Sequence, residues 1–268
     1  MEIVVCIKQV PDTAKIEVDE TTGTLKREGA EVKMNPFDLS AIETALQIRE
    51  ATGGTVWVIS MGPQQAAQVL REAFMMGADR GVLLCDPRFA GADTLATSYT
   101  LALGIRKAVR NPQLIICGKQ TTDGDTGQVG PEIAEFLQIP HVCNVSRLVE
   151  AREHALVLMI DLQEMLQKVQ VECPCLITVE KDIFPPRLPS FRKREEARHK
   201  LIDVLGCSDL ETDDPGCFGL QGSPTHVEKM FPPVVDKPRE IWTGTGVDLA
   251  ERLVDRLQRM KLWLPRDH

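Results

Sequence analysis

Residues 118–131 read Gly-Lys-Gln-Thr-Thr-Asp-Gly-Asp-Thr-Gly-Gln-Val-Gly-Pro. The glycines allow close backbone approach. A helix opening at Pro131 would present free N–H groups, which favour an anion such as a phosphate. Thr126 and Gln128 add side-chain donors, while Asp123 and Asp125 suit ribose hydroxyls or the shaping of the loop. An ordinary Gly/Asp strand–helix connection has the same composition, so both readings stand on the residues alone. No Gly-x-x-x-x-Gly-Lys-Ser/Thr is present, and no Gly-x-Gly-x-x-Gly follows the first apolar run. A nucleotide-hydrolysing P-loop and the usual dinucleotide fingerprint are thereby excluded. Asp93-Thr94 opens a second helix, either as a plain N-cap or as a further source of anion donors. No Ser/His/Asp or Cys/His arrangement with nucleophilic spacing is visible, which fits chemistry carried by a cofactor. Cys173-Pro174-Cys175 is spaced too tightly for most zinc sites and reads as strand-core thiols. His226 reads as a surface residue.

These residues need a scaffold, and the hydrophobic pattern supplies one. Residues 3–10 form a β-branched run ended by Pro11-Asp12-Thr13, and alternation around Gly23 suggests a surface hairpin from Ile16. Asn35-Pro36-Phe37-Asp38 breaks the chain before a helix. Ser40 and Glu43 stand there at capping-box spacing, and Leu39, Ile42, Leu46 and Ile48 form its stripe. Strands at 55–60, 81–85 and 114–117 each lead into a helix. The first of these helices carries Ala66, Leu70 and Phe74 on one face, with Met75-Met76 beside them as core. The second runs from Asp93-Thr94 to about 109, and the third covers 131–137. Such alternation predicts a mostly parallel sheet covered on both faces, with ligands beyond the carboxyl ends of its strands. Segments 141–149, 155–161 and 168–180 predict an antiparallel extension. After Phe184 the rhythm fades through Pro185-Pro186 and the solvated charge run Arg192-Lys193-Arg194. A last amphipathic helix carries Val247, Leu249, Leu253, Leu257 and Leu262. A stretch so poor in periodic structure reads as an arm lying on a partner.

Composition narrows the class. The chain has 268 residues, with 31 Lys+Arg against 39 Asp+Glu and a net charge of −8. That balance argues against nucleic-acid or anionic-membrane partners. No apolar run reaches the length of a membrane span. The amino terminus enters a strand directly, without the pattern of a signal peptide. The eight cysteines sit mostly in apolar runs, as reduced thiols do, so a soluble cytoplasmic protein is expected. Tyr99 is the single tyrosine, which leaves little aromatic stacking for any planar ligand.

Several blocks, in order, resemble the β subunit of electron transfer flavoproteins. They are Val-Cys-Ile-Lys-Gln-Val-Pro-Asp-Thr (5–13), Met34-Asn35-Pro36-Phe37-Asp38, Met61-Gly62-Pro63, Met-Gly-Ala-Asp-Arg-Gly (76–81) and Gly118-Lys119-Gln120 with its loop. The resemblance implies a three-layer α/β, Rossmann-like adenine-nucleotide-binding domain with a mostly parallel sheet, followed by an extended C-terminal arm. The expected bounds are 1–188 for the domain and 189–268 for an arm embracing an α subunit.

The family's AMP, or the ADP half of an FAD, would then fall on Cys6, Asn35, Pro36, Phe37, Asp38, Met61, Gly62, Gly118, Lys119, Gln120, Asp123, Gly124, Asp125, Thr126, Gly127, Gln128, Val129 and Gly130. Lys8, Asp93, Thr94 and Thr97 would approach the flavin or nicotinamide. No catalytic side chain and no metal ligand is expected. The loop Asp-Gly-Asp-Thr-Gly-Gln-Val-Gly-Pro is similar to the electron-bifurcating branch. So are Gly-Ala-Asp-Thr-Leu-Ala-Thr-Ser-Tyr (91–99) and Gly-Leu-Gln-Gly-Ser-Pro-Thr (219–225). That branch implies NADH as donor, a β-site FAD, ferredoxin or flavodoxin as one acceptor, and an acyl-CoA- or lactate-type dehydrogenase or reductase as the other. The alternatives are a one-flavin shuttle with structural AMP and a non-redox nucleotide-binding regulatory module. Residues 158–164, Leu-Met-Ile-Asp-Leu-Gln-Glu, depart from the family's basic, glycine-containing turn.

Overall fold

The computed structural model describes residues 1–12, 32–162, 164–212, 214–228 and 240–262. It divides into two units, residues 1–230 and 231–268. The expected hairpin from Ile16 lies outside the described residues.

In the first unit, β1 (Glu2–Cys6) is central, with β4 (Thr55–Met61) and β6 (Leu114–Gly118) on its two sides, both parallel to it. Beyond β4 come β5 (Arg80–Leu84) and β11 (Ile202–Leu205), also parallel. Beyond β6 come β10 (Cys175–Val179) and β7 (His141–Ala151), and then β8 (Ala155–Asp161) and β9 (Leu166–Glu172) run antiparallel. The order is β11–β5–β4–β1–β6–β10–β7–β8–β9.

Side chains alternate across this sheet. Ile3, Val5 and Ile7 face one core with Leu114 and Ile116, while Val4 and Cys6 face a second core with Ile115 and Cys117. The helices α1 (Pro36–Thr52), α2 (Ala67–Met76) and α5 (Phe191–His199) cover the first face. The second face is covered by α3 (Thr94–Ala108) and α4 (Val129–Leu137). Both faces of the central parallel strands β1, β4, β5, β6 and β10 are therefore largely dry, which explains their near-continuous apolar sequences. The chain runs outward from β1 through β4 and β5, then returns past β1 to β6. The direction reverses between β1 and β6, and a crevice at the carboxyl ends of those two strands follows from that reversal.

The structure differs from the sequence expectations at six places. The first run divides: after β1 the chain leaves the sheet, and β2 (Gln9–Pro11) pairs antiparallel with β3 (Val32–Met34). Ser40 and Glu43 are no capping box, because Pro36 starts α1 a turn earlier. Ser40 Oγ accepts the Asp182 amide at 3.1 Å, and Glu43 binds Arg187. Pro131 is not the first residue of α4, which begins at Val129. Residues 168–180 make two strands, and the second inserts in parallel between β6 and β7. Leu262 lies beyond the last helix.

The sixth difference concerns the boundary at 188/189, which falls inside the first unit. Here α5 packs on α2, and β11 adds to the sheet edge with Ile202 opposite Gly81. A four-residue strand and a helix dominated by charged residues leave too weak a hydrophobic period to be read from sequence.

In the second unit, α6 (Gly246–Arg259) is capped by Thr245, whose side chain accepts the Asp248 amide. Arg252 lies 4.7 Å over the Trp242 ring, and none of the helix's residues is buried. Among the described residues no helix is long and apolar enough to cross a membrane.

Candidate nucleotide site

The loops leaving β1 and β6 are tied together under the start of α1. Asn35 is fully buried, and Asp38 nearly so. Asn35 makes no side-chain cap bond to its own helix. Its Nδ2 donates instead to Asp38 Oδ1 and to the Gln120 carbonyl, both at 2.9 Å, and its Oδ1 accepts the Thr122 amide at 3.3 Å. Asp38 Oδ2 accepts the Lys8 amide at 2.7 Å. Burial pushes the Asp38 carboxyl up to about 7, against the lowering effect of Asn35, Lys8 and the Gly118 amide. Gly118 must be glycine, because a Cβ there would run into Asp38 Oδ1 and Phe37.

Lys8 Nζ forms an ion pair with Asp123 at 2.7 Å. Burial acts to raise the Asp123 carboxyl, but the Lys8 hydrogen bond and charge outweigh it and hold the group below the usual carboxylate range. Asp125 is held by Gln120 Nε2, and its amide donates to the Thr121 carbonyl at 2.8 Å. Both aspartates thus shape the loop, one of the two roles open to them in the sequence. Lys119 turns away to Glu180 at 2.7 Å. Gly124, Thr126, Gly127 and Gln128 are exposed, and Gly127 has φ +66°. Among the described residues, the amides of Thr126, Gly127 and Gln128 donate to no loop carbonyl. Val129 and the buried Gly130 continue into α4, so free N–H groups at a helix start face outward at the strand ends.

A second helix start adjoins the first. Asp93 caps α3 by accepting the Ala96 amide on Oδ1 at 3.1 Å. Its Oδ2 accepts the Thr225 amide at 3.0 Å and the Thr225 hydroxyl at 2.7 Å, and its own amide donates to Ser223 Oγ at 2.8 Å. Burial opposes the charge on Asp93, yet these donors hold the carboxyl below its ordinary value. The two blocks at 91–99 and 219–225 are therefore neighbours in space. The single hydroxyl proton of Thr94 Oγ1 has Glu132 Oε1 at 3.2 Å and Gln128 Oε1 at 3.4 Å within reach, while Ser98 Oγ donates to Glu132 Oε2 at 2.8 Å. Thr97 sits half-buried one turn into α3.

At the carboxyl end of β4, Ser60 Oγ is a buried polar atom with no hydrogen-bond partner among the described residues, beside Met61. Gly62 follows, its amide donating to the Leu84 carbonyl at 3.0 Å. Cys6 lies opposite Cys117 in register, and their thiol contact and burial raise the Cys117 pKa. Pro36 and Phe37 are half-buried at the first turn of α1.

Sequence reasoning missed Glu132, Ser98, Ser223 and Thr225 as parts of this edge. Ser223 and Thr225 stood in a recognised block, whose partner Asp93 only folding reveals. Glu132 gave no signal beyond its place one turn after Gln128.

These features define a doubly wound α/β domain whose strand-end crevice is flanked by two helix starts, of which the one opening α4 keeps backbone amides at 126–128 free of loop carbonyls. That donor set fits the phosphates of an adenine nucleotide. Residues 22–209 match the model of the electron transfer flavoprotein domain. The chain is 45% identical to the electron transfer flavoprotein subunit beta of Thermoanaerobacterium thermosaccharolyticum, over 96% of this chain and 98% of that protein. It is 41% identical to the caffeyl-CoA reductase-Etf complex subunit CarD of Acetobacterium woodii, over 96% and 98%. With the acryloyl-CoA reductase electron transfer subunit gamma of Anaerotignum propionicum it shares 40%, over 97% and 98%. The chain belongs to the electron transfer flavoprotein family, as a β subunit.

Proposed function

We propose that this chain is the β subunit of an electron-bifurcating flavoprotein, working in the cytoplasm with an α subunit that carries its own FAD. In this reading its strand-end crevice holds a second FAD. Residues 126–129 would hold its phosphates, and it would supply acceptance of electrons from NADH and their division between ferredoxin or flavodoxin and, through the α-subunit FAD, a partner dehydrogenase or reductase. The supporting observation is the pairing of two helix starts, at Thr94 and Gln128, 3.4 Å apart through their side chains. The free N–H groups opening α4 suit a nucleotide phosphate or pyrophosphate, and the start of α3 borders the same strand-end edge.

This chain's residues bind and orient. Amides at 126–129 meet phosphate, Asn35 and Asp38 fix the loops, and the Ser60 hydroxyl offers a hydrogen bond next to Met61. Lys8 stands at the end of β1, on the side where the nicotinamide would approach. Two of the named relatives serve acyl-CoA-type reductases, which favours an acyl-CoA-type partner here.

The test mixes the αβ complex with NADH, oxidised ferredoxin and the partner dehydrogenase. Ferredoxin reduction that requires the dehydrogenase's substrate is expected. NADH oxidation without any such coupling, or none at all, overturns the reading.

A further inference from the structure

The groups around Asp38 are arranged for a task other than touching a ligand. Its side chain is buried between α1 and the ends of β1 and β6, and each oxygen already has a protein donor: Asn35 Nδ2 at 2.9 Å and the Lys8 amide at 2.7 Å. Through Asn35 the same unit reaches the Gln120 carbonyl and the Thr122 amide. The Asn35 amide also donates to the Lys8 carbonyl at 3.0 Å. Two loops far apart in sequence thus take their shape from one carboxyl group.

We propose that Asp38 is a positioning residue which, as a carboxylate, holds the loops after β1 and β6 in the shape that binds the β-site nucleotide. This rests on the reading that the strand-end crevice is the nucleotide site. Deprotonated, Asp38 accepts from every donor facing it. Protonated, one oxygen becomes a donor and confronts either the Lys8 N–H or the Asn35 amide, so a buried donor loses its partner. The other titratable groups nearby are Lys8, whose ammonium is paired with Asp123, the Cys6–Cys117 thiol pair, and Glu43 further along α1, which is committed to Arg187. The raised pKa of Asp38, near 7, places the change within the working range of pH.

The experiment uses the αβ complex, wild type and Asp38→Asn, with FAD as the β-site probe, since FAD has no group titrating between pH 6 and 8. Wild-type affinity is expected to fall by up to about tenfold from pH 8 to pH 6, the loss that protonation of one group near pH 7 produces. Asp38→Asn is expected to bind weakly at both values, with a flat profile. Hydrogen exchange of the Lys8 and Gly118 amides in nucleotide-free complex, corrected for intrinsic pH dependence, is expected to speed up in the variant. Wild-type affinity in Asp38→Asn, or equal pH slopes in the two proteins, overturns the proposal. If Asp38→Asn does not fold, a flat wild-type profile overturns it equally. A complex that binds no adenine nucleotide at its β site contradicts the reading of the site. In that case unchanged exchange of the two amides rejects Asp38's role separately, and faster exchange upholds it.

Discussion

Asp123 and Asp125 lie in a loop read as anion-binding, where carboxylates would repel a phosphate. The structure resolves this by spending Asp123 on Lys8 and Asp125 on Gln120, leaving the exposed amides at 126–128 as the available donors. A carboxylate placed among those amides has no such partner. Gly127→Asp is therefore expected to lower β-site nucleotide occupancy by at least about tenfold, through repulsion and through the φ of +66° that a side chain adopts reluctantly. Nucleotide released from the denatured complex measures this. Full β-site occupancy would remove the loop from the site. Asp93 has a different weight, because it caps α3 and also fastens residues 223–225. Asp93→Ala is expected to cost about 1–2 kcal/mol in denaturant unfolding, the range for a lost cap, and to loosen that segment to protease. A change under a few tenths would mean the cap and its contacts carry little.

At the level of elements, the parallel core was legible because β-branched runs recur between amphipathic helices, and β4, β5 and β6 lie within a residue or two of their expected places. Three features were not legible, for distinct reasons. The position of β10 between β6 and β7 is a matter of long-range pairing that no local pattern encodes. The charged helix α5 has only Ala197 buried, so it shows no apolar stripe. Ser40 and Glu43 mimic a capping box, while their true partners, Asp182 and Arg187, lie about 140 positions away. Of the site, the Asn35–Asp38 and 118–130 segments were visible through composition and resemblance. The joining of 91–99 to 219–225 was not, since hydrogen bonds across 130 residues leave no spacing rule.

Arg187 ties the chain after β10 to α1, pairing with Glu43 at 2.8 Å and Glu50 at 2.7 Å. The Glu43 side chain is 3% exposed, so removing its partner strands a buried charge. Arg187→Ala is expected to lose about 3 kcal/mol of stability. Burial acts to raise the Glu43 carboxyl, but Arg187 and Gln47 hold it below its ordinary 4.5. A depressed acid contributes stability that is complete above about pH 4.5 and is lost as pH falls through the folded value. Unfolding followed from pH 7 to pH 3 should show this acid-side loss in the wild type and a smaller one in Arg187→Ala. Identical slopes would remove the pair as its cause.

For the whole molecule, the net charge of −8 argues against polymeric nucleic acid but not against a nucleotide, because the free N–H groups at 126–128 are backbone groups that net charge does not count. The second unit contributes α6, which buries none of its own residues and exposes Val247 and Leu253. An amphipathic helix in that state is suited to a partner surface, and the α subunit is the partner proposed for it. Deleting residues 231–268 is expected to abolish co-purification with the α subunit while the first unit keeps its melting temperature. Unchanged co-purification would show that the arm is dispensable.

The claim on which the rest depends is that the β site holds a flavin. Purifying the αβ complex and quantifying FAD and AMP released on denaturation tests it most directly. Two FAD and no AMP per heterodimer is the expected result, and one FAD with one AMP would contradict it.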